Sequence, residues 1–184
     1  MAVTDLTTLA NVKAYLGLAG ASDDALITRM ITGLSGVAEA WMGRPILSFA
    51  YNELRNGSGS RRLAMTNYPV TSVTELLINT LAIPAAPDAV SPGYRFDERF
   101  LYLNGYRFCH GMANVNVAYV AGYATVPPEL EQAVIELIAA KYRERERIGH
   151  QSKSLAGEAT TFIVKDLPDA VKSVFMNYKK VVPL

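Results

Sequence analysis

Ser35 lies in Gly33-Leu34-Ser35-Gly36-Val37, which only superficially suggests the G-x-S-x-G nucleophile elbow, and would serve acyl transfer if a strand-turn-helix exposed its hydroxyl. It falls instead in the middle of a helical pattern, which denies it that setting. Cys109 and His110 would make a thiol-imidazole couple, but adjacent residues on a strand point to opposite faces. The carboxylate pairs Asp23-Asp24 and Asp97-Glu98 fall at a helix start and at a turn, where acids are common for structural reasons. His150 is the other of the 2 histidines, and no Cys/His cluster has zinc spacing. Neither a Walker loop nor GxGxxG occurs. The expectation is a chain without catalytic residues, cofactor or metal: not an enzyme.

The strongest charge pattern is Arg143, Glu144, Arg145, Glu146, Arg147, which follows Tyr142 at the end of a helical stretch. Lys141–Glu144, Arg143–Glu146 and Glu144–Arg147 are spaced i,i+3, and such pairs support a helix by about 0.2–0.5 kcal/mol each. The same charges could instead answer those of neighbouring copies, since a helix that is polar all round either supports itself or meets a partner. Both readings stand. A third is a DNA-binding module using Arg143, Arg145, Arg147, Lys179 and Lys180, whose affinity would fall steeply with salt. The net charge of +1 argues against a general nucleic-acid binder. Its distribution is uneven, with an acidic stretch over 126–140 and a basic C-terminal quarter that suits contacts between copies.

These residues must be positioned by recognisable elements. Thr7-Thr8, a stripe of Leu9, Val12, Tyr15 and Leu16, and then Gly17 predict a short first helix. Ser22 opens a second, whose apolar positions run from Leu26 to Trp41 and stop at Gly43. Gly33, Gly36 and Ala40 lie on it, and each internal glycine costs about 1 kcal/mol relative to alanine, so close approach of another element is expected there. From Pro45 the period falls to two, with five or six short strands separated by Asn56–Ser60, Asp97-Glu98 and Asn104-Gly105. Pro127-Pro128 starts the third helix, with Leu130, Val134, Leu137, Ile138 and Tyr142 as its stripe. A Gly-, Ser- and Thr-rich segment over 149–166 is expected to order only on assembly. Leu167-Pro168 then begins a last helix.

The expected fold is α+β: about four helices forming a body, with an antiparallel β unit over 45–125 inserted between the second and third helices of one domain, 1–184. The one cysteine excludes an internal disulfide, and no apolar run approaches the ~20 residues of a membrane span. The N-terminus does not read as a signal peptide, so a soluble protein is expected.

The ordered segments "TLANVKAYLGL", "SDDALITRMITGLSGVAEAWMGRPI", "YPVTSVTEL", "FLYLNG", "VNVAYVAGYATVPPELEQAVIELIAAKYRERE" and "LPDAVKSVFMNYKKV" resemble the head–tail connector (adaptor, or head-completion) proteins of long-tailed bacteriophages and gene-transfer particles. The resemblance implies a structural virion protein of the neck, assembled in the host cytoplasm, without cofactor or membrane. It implies a homo-oligomeric ring, commonly of twelve copies, beneath the portal protein. Such a ring extends the channel for genomic DNA and docks a stopper or tail protein. Arg143, Glu144, Arg145, Glu146 and Arg147 become the candidate subunit interface. Phe175, Tyr178, Lys179, Lys180, Val181, Val182 and Leu184 become the candidate portal-docking residues. Other neck parts, of the stopper or tail-terminator type, would be dominated by strands; a small hydrolase or a DNA-binding module are the remaining alternatives.

Overall fold

The computed structural model describes residues 5–145, 152–155, 158–161 and 167–181. Among these are four α-helices and nine β-strands, gathered into two compact units, Met1–Arg44 with Val126–Lys180 and Pro45–Thr125 with Val181–Leu184.

The first unit is helical. In α1 (Leu9–Leu16) the Thr8 hydroxyl accepts from the Asn11 N–H at 3.3 Å, and Gly17 closes the helix at φ 70°, a left-handed conformation open to glycine. α2 (Asp24–Met42) buries Ile27, Ile31, Ser35, Ala38 and Met42, one stripe at three- and four-residue spacing, and ends at Gly43 with φ 71°. Its N-cap is Asp23 rather than Ser22, and the Asp23 carboxylate makes no capping bond because it is engaged by α3. A β-carbon added at Gly33 would meet nothing within 4 Å and Val37 is exposed, so the expected close approach is not made at Gly33 among the described residues.

α3 (Pro128–Glu144) starts at Pro128, where a missing N–H costs no intrahelical bond. It buries the whole expected stripe and also Ala133, Ile135 and Ala139. Burial on this many sides makes it the central helix, in contact with α1, α2 and α4 (Asp169–Tyr178), the last of which buries Val171 and Phe175. Thr7 Oγ1 and Asn11 Nδ2 donate to Glu131 Oε1 at 3.0 and 2.7 Å and pin α1 to the first turn of α3.

The second unit is antiparallel. β1 (Phe49–Gly57), β7 (Gly111–Ala121), β3 (Val70–Ile78) and β4 (Leu81–Ala82) form one sheet in that order. β2 (Arg62–Ala64), β6 (Phe100–Asn104) and β5 (Gly93–Phe96) form a second. Val115, Val117 and Tyr119 alternate inward along β7 and meet Leu76, Leu101 and Phe108 in the core. A bridge between Ala85 and Tyr94 joins the sheets on the β4–β5 side.

Between β1 and β2 no ladder forms, and side chains span the seam instead. Asn67 Nδ2 and the buried Tyr119 hydroxyl both donate to Glu53 Oε1 at 2.9 Å, and Arg55 reaches Thr66 and Glu53. Burial pushes the Tyr119 phenol well above its ordinary value, with Asn67 and Glu53 as its hydrogen-bond partners. The hairpin into β4 turns on Asn79 and Thr80 at φ 49° and 69°. Such a turn normally carries Asn-Gly, and a threonine in its place hides it from a sequence reading.

β8 (Ser152–Leu155) and β9 (Glu158–Thr161) form a two-stranded sheet with no further strand among the described residues, where the sequence suggested a loop. A lone two-stranded hairpin is marginal in water. Amide exchange on the free protein should therefore show residues 152–155 and 158–161 exchanging within seconds while α3 is protected. Strong protection of the hairpin would mean that it is already ordered before assembly.

Candidate functional site

Ser35 is fully buried and its Oγ accepts the Leu6 N–H at 3.0 Å, so it ties the N-terminal segment to α2 and faces no substrate. Cys109 and His110 are both exposed, and the Cys109 Sγ lies 3.6 Å from the Arg107 carbonyl. Among the described residues, no group of three or more His, Cys, Asp or Glu could hold a metal ion. No helix among them is long and apolar enough to cross a membrane.

The charged end of α3 divides into parts with different tasks. Tyr142 is buried, and its hydroxyl donates to Asp23 Oδ2. Arg145 Nη1 lies 3.3 Å from the same oxygen, and its guanidinium stacks 3.9 Å from the Tyr142 ring centroid. Hydrogen bonds from Tyr142 and then Arg145 hold the Asp23 carboxyl below the usual carboxylate range. Arg145 is thus committed inside its own unit. Lys141 and Glu144 pair at 3.3 Å across i,i+3, in agreement with a self-supporting helix. Arg143 is exposed, and no ion pair is formed by it among the described residues. Glu146 and Arg147 lie outside the described residues.

The α4 end requires one correction. Phe175 is 0% exposed, with its ring centroid 5.9 Å from that of Trp41, so it is a core residue and presents no surface to a docking partner. The reason is the apolar stripe of α4, which packs Val171 and Phe175 inward together. Tyr178 is half-buried and donates to Glu129 Oε1, Lys179 sits 5.3 Å from the Trp41 ring, and the Lys180 N–H donates to the Met42 carbonyl at 2.7 Å. The outward apolar residue of α4 is Met176, 63% exposed, which a stripe-based reading leaves out. Val181 is also exposed, its N–H donating to the Tyr68 hydroxyl at 2.9 Å; Val182 and Leu184 lie outside the described residues.

The strand unit carries surfaces that sequence reasoning did not single out. Leu54, Asn116 and Leu77 stand directly opposite one another on β1, β7 and β3. Val90 crowns the loop between β4 and β5. Strand alternation could have flagged Leu54 as an apolar residue out of phase with the inward-facing set.

A family model described as head completion protein matches residues 5–181. Among solved structures, a chain from the neck of an empty GTA particle computed with C6 symmetry aligns with TM-score 0.59 and 20% identity, covering 100% of this chain and 95% of that one. A chain from the neck of a native GTA particle computed with C12 symmetry aligns at TM-score 0.56 and 19% identity, over 100% and 94%. A chain from the virion of a native gene transfer agent particle aligns at TM-score 0.56 and 20% identity, over 96% and 90%. At these identities the likeness establishes a shared fold. A search of curated proteins finds no match.

Proposed function

The chain belongs to the head completion protein family, and from that premise we propose that it forms a ring beneath the portal of a phage or gene-transfer particle. It is a structural head–tail connector of the virion neck. The ring extends the DNA channel and offers the next neck or tail component a docking face. The observation that carries this reading is the family match over residues 5–181 of a 184-residue chain. The likeness to chains in necks computed with C6 and C12 symmetry supports a cyclic assembly, for which twelve copies is the proposed number.

Within that ring, the end of α3 meets the neighbouring copy through Arg143 and the Glu144–Arg147 stretch, with Arg145 set in place by Asp23. Mixed charge at such a contact fixes register more than it adds affinity. The α4 end, with Met176, Tyr178, Lys179, Lys180 and the chain from Val181 onward, is the portal-docking surface. DNA passes the ring without needing a strongly basic wall, which fits a net charge of +1.

The test is co-assembly of purified protein with the portal ring of the same particle, imaged by negative stain. A second ring stacked on the portal, with its symmetry countable, is the expected result. Intact portal rings without added density would overturn the portal-adjacent position.

A further inference from the structure

A closed ring of identical copies needs two different patches on each chain, one fitting the other head to tail. The strand unit carries such a pair. On the outer face of its four-stranded sheet, Leu54, Asn116 and Leu77 form a row across β1, β7 and β3. With Met112 and the Asn79–Thr80 turn they line a groove of about 410 Å³ that contains no charged residue. Leu54 is 67% and Met112 88% exposed, unusual for large apolar side chains on one face. The Asn116 Oδ1 is buried and accepts no hydrogen bond, a cost that folding alone leaves uncompensated.

The complementary feature is the loop between β4 and β5. Val90 is 85% exposed at its tip, yet the loop is firmly shaped. Asp88 Oδ1 accepts the N–H groups of Val90 and Ser91 at 2.8 and 2.6 Å, and Asp88 Oδ2 accepts the Ser91 hydroxyl at 2.9 Å. Asn104 Nδ2, at the end of β6, donates to the carbonyls of Val90 and Ser91. The Asp88 carboxylate is thus held ionised by the loop's own donors, which fix the loop's shape, and the side chain at the tip is the apolar Val90. A preformed knob loses little conformational freedom on docking.

The two features are held by different sheets of the unit. The groove centres on β7, whereas the loop is tied to β6 in the other sheet, reached through β3, β4, the Ala85–Tyr94 bridge and β5. A patch on one sheet and a knob held by the other address different neighbours, as a head-to-tail contact requires.

We propose that the Val90 loop of one copy inserts into the Leu54–Leu77–Met112 groove of the next, giving the ring a second, apolar contact besides the charged end of α3. The proposal rests on the ring reading.

The test uses the full chain with Cys109→Ser, carrying Val90→Cys together with either Leu54→Cys or Met112→Cys, assembled on portal rings and then oxidised. A covalent ladder of multimers in a denaturing gel, absent from each single-cysteine variant, is the expected result. Rings that form but give no ladder from either pair would overturn this contact while leaving the ring intact as a reading. Failure of the unsubstituted chain to form rings would sink both. Independently, Val90→Asp should keep its circular dichroism spectrum yet cut ring yield by at least ~10-fold, because an unpaired carboxylate would be buried. Val90→Leu should assemble. Rings from Val90→Asp at the unsubstituted yield would also overturn the proposal.

Discussion

Replacing Gly122 with alanine will destabilise the strand unit more than any exposed substitution, by about 3 kcal/mol or more, combining backbone strain and overpacking. Gly122 sits at φ 117°, which side-chain-bearing residues rarely adopt. A β-carbon there would fall 2.5 Å from the Leu47 carbonyl oxygen and 2.8 Å from the Ser48 α-carbon. Neither neighbour can yield cheaply. The Ser48 N–H donates to the Tyr123 carbonyl at 3.0 Å, the Tyr123 N–H to the Ile46 carbonyl at 2.9 Å, and the Gly122 N–H to the Pro69 carbonyl at 2.9 Å. For a chain of this length the melting temperature should fall by roughly 6–12 °C. Gly33→Ala is the contrasting variant: it adds a methyl in open space within a helix and should stabilise by about 0.5–1 kcal/mol. Thermal melts of the two variants decide the matter. A Gly122→Ala melt within 2 °C of the parent, roughly a 1 kcal/mol effect or less at this size, would show that the Leu47–Ser48 backbone shifts freely.

Phe175→Ala should cost about 3–5 kcal/mol, the usual penalty for emptying a buried aromatic site. α4 has ten residues, too few to persist alone in water, so its place depends on Val171 and Phe175. Losing the Phe175 ring removes its packing against Trp41 and frees the end of the chain that carries the proposed portal-docking residues. Portal co-assembly should therefore fail together with stability. Phe175→Leu separates packing from contact: it keeps most of the volume, should cost less than about 1.5 kcal/mol, and should leave co-assembly intact. Denaturant midpoints and ring counts on the same samples provide the check. A Phe175→Leu protein of near-parental stability that no longer joins the portal would mean the ring touches the partner directly, as the sequence pattern alone suggests.

The difference between Phe175 and Met176 illustrates how far a sequence carries. A stripe at three- and four-residue spacing says that Val171 and Phe175 share a face, but not whether that face meets the chain's own core or another protein. Trp41 decides it, and Trp41 arrives from α2. The same limit applies to the charged run after Tyr142. Spacing reveals the Lys141–Glu144 pair, since a helix sets it locally. It cannot reveal that Arg145 answers Asp23, because those residues are far apart in sequence.

Much of the fold was nonetheless legible, because local rules dictate it. Thr8, Gly17, Gly43 and Pro128 mark helix ends through backbone geometry that needs no distant partner. Period two from Phe49 to Ala121 marks strands, since alternation is a property of the extended chain. The family resemblance likewise rests on the order of such segments. What only the tertiary structure decided is which outward positions gather into surfaces. Leu54, Leu77, Asn116 and Met112 come from three strands, β1, β3 and β7, and Val90 depends on Asn104 from another strand. Strand pairing order is set by long-range burial, which no local window contains; the assembly surfaces follow from that order and so were visible only once the chain was folded.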